Sequence, residues 1–93
     1  MARSQGPGFD IDLLTFEVFQ TNGNTYVFHG TTARAQPGDY VQFSGPCGNF
    51  TTPVEADGTF SIVKTLPGGI MGNCSAVVTD GWFRWSNVMY DAP

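Results

Sequence analysis

Apolar and polar positions alternate along most of this chain. From Asp10 to Phe19 the run Asp-Ile-Asp-Leu-Leu-Thr-Phe-Glu-Val-Phe sets Leu14, Phe16 and Val18 on one face, with Thr15 and Glu17 on the other. A period of two predicts a β-strand, because successive strand side chains point to opposite faces. Asn22-Gly23-Asn24 tolerates positive φ and suits a hairpin turn into a second strand from Thr25, with Tyr26 and Phe28 on one side and Val27 and His29 on the other. Pro37-Gly38 breaks the alternation as a type II turn does, and Tyr40-Val-Gln-Phe-Ser resumes it. Asn49 to Val54 is a short segment that Pro53 confines to a sheet edge, since proline cannot donate to a ladder.

Asp57-Gly58, the strongest turn signal, opens onto a strand in which Phe60, Ile62 and Leu66 alternate with Ser61, Val63 and Thr65. Lys64 interrupts the apolar stripe, either beyond the core or snorkelling at its rim. Asn73 to Thr79 follows with Cys74, Ala76 and Val78 on one face, and Ser86 to Tyr90 is expected to close the chain. About seven short strands separated by turn signals every 8 to 12 residues predict an all-β antiparallel sandwich.

Composition agrees with this. Among 93 residues stand 12 Gly and 6 Pro, the worst helix formers, beside 13 aromatic side chains. A chain this short holds one core. Residues 1–9, rich in Gly and Pro, are expected to be a flexible leader or linker remnant, and 10–93 the domain. The formal charge of -4 repels phosphate backbones, so nucleic acid is not an expected partner. No apolar run reaches the roughly 18 residues needed to span a bilayer as a helix.

Cys47 and Cys74 have only His29 for company among the softer metal ligands, too few for a tetrahedral zinc site, and no cofactor is expected. Two readings remain. They form a disulfide closing a loop of about 28 residues, which contributes on the order of 3 to 4 kcal/mol in the chain-entropy model, or they are two separate buried thiols. A disulfide implies an oxidising, extracytoplasmic compartment.

Phe28-His-Gly-Thr-Thr, Gln36-Pro-Gly-Asp-Tyr-Val, Ala56-Asp-Gly-Thr-Phe-Ser, Ala76-Val-Val-Thr-Asp and Ser86-Asn-Val stand in this order over residues 26–90. The succession resembles bacterial immunoglobulin-like domains of multidomain cell-surface proteins. The closing stretch Thr79-Asp-Gly-Trp-Phe-Arg-Trp-Ser-Asn87 is most similar to versions in surface proteins of planctomycete-like bacteria. The resemblance implies an extracellular spacer, scaffold or adhesion module whose partners are other protein domains or copies of itself. This chain departs from the family twice. Many members lack cysteine, and here Phe83 stands mid-segment where glycine is usual, with Gly81 displaced from that place.

Trp82, Phe83, Arg84 and Trp85 form the candidate binding site. Aromatic faces stack on sugars and anchor protein interfaces, and an arginine adds a fork of hydrogen-bond donors. The competing reading has at least one tryptophan plugging the open end of the sandwich. If the stretch is extended, Trp82 and Arg84 point one way and Phe83 and Trp85 the other, so the rings cannot share a platform. A carbohydrate-binding module using Trp82 and Trp85 is therefore the alternative to an adhesion or assembly unit.

Catalysis has less behind it. His29 lacks a G-x-S-x-G elbow for a hydrolytic triad, and Glu17 with Glu55 lacks a cleft for glycosidase chemistry, so the chain is not expected to be an enzyme. Asp10, Asp12, Asp39, Asp57, Asp80 and Asp91 follow no calcium-loop spacing and are expected mainly to cap turns. An unprotected edge near the first strand would favour assembly by strand addition, with Pro53 and Lys64 partly blunting other edges.

Overall fold

The computed structural model describes residues 9–93, so the expected leader lies, up to residue 8, outside the described residues. Seven strands form: β1 (Asp12–Asn22), β2 (Thr25–Ala33), β3 (Tyr40–Ser44), β4 (Phe50–Pro53), β5 (Thr59–Thr65), β6 (Cys74–Thr79) and β7 (Met89–Asp91). They build two antiparallel sheets, ordered β1-β2-β5 and β4-β3-β6-β7, and the described residues contain no helix. The fold is thus an all-β sandwich of two antiparallel sheets. It differs from the constant-type immunoglobulin arrangement in one strand, since β4 pairs with β3 rather than joining the three-stranded sheet. The cause is local. Gly45 and Gly48 adopt positive φ and the Gly48 N–H donates to Gly45 O, folding β3 directly back into β4. Pro53 accordingly lies on an edge strand.

Alternation places Phe28, Phe43 and Phe60 wholly inside. The Phe43 ring is the hub, with Phe16, Phe28, Phe50 and Phe60 centroids 4.8 to 6.0 Å away. Lys64 closes the rim, its Nζ standing 4.9 Å from the centre of the Phe50 ring. Tyr26, Phe28, Cys74, Ala76 and Val78 point inward as their alternation predicts.

Three expectations need correction. Leu14 faces solvent at 53% exposure, and Leu13, 3% exposed, takes the inward place. Leu13 pairs with Thr32 and Thr15 with Thr31, leaving Leu14 as the extra residue of a β-bulge that resets the alternation for Phe16 and Val18. The last strand begins at Met89 rather than Ser86, because the chain uses one more residue between Trp85 and Met89 than its partner does between Thr79 and Ala76. Ser86 swings inward there, and its Oγ accepts from the Val78 N–H.

The edge at β1 is also partly covered, at Leu13 and Val18. The Asn87 side chain accepts from Leu13 N–H and donates to Leu13 O, while Asp91 Oδ2 accepts from Val18 N–H. Side chains from the 80–88 connection and from β7 therefore occupy some of the backbone groups that an added strand would need.

Candidate functional site

The registers bring four chain segments to one pole of the sandwich: the entry into β1, the 34–39 loop, the 54–58 turn and the 80–88 connection. Asp12 faces Ala33, Thr31 faces Thr59, and Tyr40 faces both Pro53 and Thr79. Trp82, Phe83, Arg84 and Trp85 all lie in the last of these segments.

A single carboxylate shapes their loop. Asp80 Oδ1 accepts backbone N–H bonds from Trp82, Phe83 and Arg84 at 2.7, 3.0 and 3.1 Å. The Asp80 N–H donates to Arg84 O, closing the turn upon itself, and Thr79 Oγ1 accepts from the Gly81 N–H. These N–H bonds, led by that of Trp82, together with the nearby Arg84 charge, hold the Asp80 carboxyl below its ordinary range. Gly81 has φ +84°, and a Cβ there would stand 3.0 Å from the Tyr40 hydroxyl. The one glycine of this loop therefore sits where positive φ and close approach require it, and position 83 is free to carry phenylalanine.

Arg84 is a strut. Its Nη1 donates to both oxygens of Asp39 at 2.7 and 2.8 Å, and its Nη2 donates to Arg34 O at 2.8 Å. Asp39 is buried and also accepts from the Gln36 N–H, so the 34–39 and 80–85 loops are tied at one point. The guanidinium is thereby occupied, which removes Arg84 from the expected ligand-facing fork.

The rings go outward. Trp82 is 77% exposed, Phe83 84% and Trp85 47%, so neither tryptophan plugs the core. The opposite-sides geometry does not arise, because residues 81–83 form a bend rather than extended chain. Only at Trp85 does the chain rejoin a ladder, bridging Thr79. The outcome is a loop with fixed backbone and two adjacent aromatic side chains in water.

Beside it, a cleft of about 480 Å³ opens between the 32–37 and 54–58 segments, walled by Ala35, Pro37 and Val54 with Arg34, Glu55 and Asp57 at its polar positions. Arg34 holds a left-handed φ of 67° and pairs with Asp12 and Phe9 O. Nothing in the chain's alternation signals this cleft or the Asp39 contact with Arg84, whose partners are 45 positions apart. The Asp80 cap was visible locally, since Asp-Gly favours such turns.

Remaining candidates have structural partners. His29 and Glu17 pair at 2.9 Å on an exposed sheet face. Asp57 Oδ1 caps the Thr59 N–H and hydroxyl, and these bonds lower its pKa. Asp12 is lowered first by its hydrogen bonds from Arg34, and Asp91 serves Val18. Among the described residues no group of three His, Cys, Asp or Glu side chains gathers. Cys47 and Cys74 are free buried thiols, so the expected bridge is not formed in the structure. No protein-family model, curated protein or solved structure matches this chain.

Proposed function

We propose that this chain is a non-enzymatic, extracytoplasmic Ig-like module of a surface protein, making adhesive or assembly contacts with other domains or copies of itself through Trp82 and Phe83. The observation carrying this reading is their exposure on a loop whose backbone is already fixed by Asp80 and the Arg84–Asp39 tie. Exposed aromatic anchors supply contact area, and a preformed loop avoids the ordering cost of binding. The resemblance to bacterial immunoglobulin-like domains supports the same class of role.

A carbohydrate-binding role is the second reading, favoured by the exposed Trp82 indole and weakened by the occupied Arg84. Light scattering over a concentration series, run for the wild type and for Trp82→Ala/Phe83→Ala, tests the first. The expected result is self-association of the wild type, lost in the variant at unchanged Tm. A monomer retained on insoluble cellulose or chitin through Trp82 would select the polysaccharide instead. Equal behaviour of wild type and variant in both assays would remove the loop as a contact surface.

A further inference from the structure

We infer that Cys47 and Cys74 are the site of a covalent modification, an intramolecular disulfide closed during folding and then sealed inside the native sandwich. The structure holds the reduced form of this pair. Cys47 lies in the turn from β3 to β4, and Cys74 opens β6, the strand beside β3. Ser44 pairs with Ser75, their hydroxyls 2.8 Å apart, which fixes the turn against the start of β6. Gly45 holds a φ of +98°, where a side chain is strained, and a Cβ there would stand 3.0 Å from Asn73 O and in ordinary contact, 3.6 Å, with Cys74 Cα, so the turn packs directly on the start of β6. Cys47 Sγ donates to Ser44 O and to Gly48 O, and both cysteines belong to the same buried core cluster. They are 2% and 0% exposed.

Other uses of the pair do not suit these surroundings. A reactive or catalytic cysteine is partly exposed and electropositive in its environment, with a lowered pKa. Here burial first, then the influence of the neighbouring Cys74 thiol, pushes the Cys47 thiol up to about 12. Cross-linking needs only the adjacency that the fold supplies.

The oxidant is a disulfide of the thiol-exchange class, such as oxidised glutathione. One cysteine thiolate attacks it, forming a mixed disulfide and releasing one glutathione thiolate. The second cysteine thiolate displaces the other, so both cysteines lose a proton and together two electrons, and the oxidant leaves as two thiols. Both attacks require sulfurs that solvent can reach. The bond therefore closes before β6 docks fully on the β3–β4 hairpin. It staples the pole opposite Trp82, so failure of this inference and failure of the loop reading are separate events.

Two samples test it: reduced, denatured chain refolded in a glutathione redox buffer, and folded reduced chain placed in the same buffer. Each is denatured, alkylated with iodoacetamide and weighed intact. The refolded chain is expected to be a monomer, about 2 Da lighter than the dithiol and unlabelled without reductant. Its Tm is expected to exceed that of reduced wild type by roughly 15 °C. The folded reduced chain is expected to oxidise at least about 100-fold more slowly than the unfolded chain, because exchange must await opening. Free, glutathionylated or intermolecularly linked cysteines after refolding would overturn the disulfide. Equal rates for folded and unfolded chain would overturn closure before burial. A Cys74→Ser chain, which leaves Cys47 alone, is expected to take up one glutathione only when unfolded.

Discussion

Arg84 and Asp39 illustrate how the same side chain changes meaning once its partner is known. Read along the chain, Arg84 sits among aromatic residues and resembles a ligand contact; in the fold its charge serves a buried carboxylate. Arg84→Ala leaves Asp39 buried and unpaired, and is expected to destabilise the domain by about 3 kcal/mol in urea unfolding. Adding Asp39→Asn should recover part of that loss, because the neutral amide still accepts from Gln36 N–H without burying a charge. If both variants are as stable as wild type, the strut assignment is wrong. A pH series probes the caps. Asp12, Asp57 and Asp80 all have folded pKa values below the ordinary 3.8. A lowered folded pKa favours the ionised folded form, so this stabilisation is present above 3.8 and disappears as pH falls through the lower folded values. Tm is therefore expected to drop as pH is lowered below 3.8, and less steeply for Asp80→Asn than for wild type.

At the scale of elements, alternation and turn residues made most of the sandwich legible. They indicated the strands, the edge position of Pro53 and the inward faces of β2, β5 and β6, because burial acts on every second residue. The bulge at Leu14 was not legible, since Leu13-Leu14 offers two apolar choices and only pairing with Thr31 and Thr32 decides between them. Leu13→Ala should cost about 2 to 4 kcal/mol, whereas Leu14→Thr should be nearly neutral; equal costs would contradict the bulge. Gly30 makes a sharper case. A Cβ there would stand 2.1 Å from Thr15 O and 2.5 Å from the Phe60 ring, so the β1–β2–β5 sheet closes only over a hydrogen atom. Gly30→Ala is expected to destabilise by about 3 kcal/mol in thermal or urea unfolding. A neutral result would mean that Phe60 is not packed as described.

For the molecule as a whole, the aromatic core is packed between the two sheets, while one pole presents Trp82 and Phe83 to water. That the aromatic loop is a candidate contact surface was legible from its residue types. Which rings face water was not, because exposure depends on the Asp80 cap and on a tie between loops distant in sequence. The account rests on those rings being outside the core, and tryptophan fluorescence of the native chain with acrylamide as quencher tests this most directly. Emission close to that of indole in water, quenched nearly as efficiently as in the unfolded chain and blue-shifted in Trp82→Phe as only Trp85 remains, is the predicted result. Blue-shifted, protected emission from the wild type would place the indoles inside the sandwich and contradict a contact role for this loop.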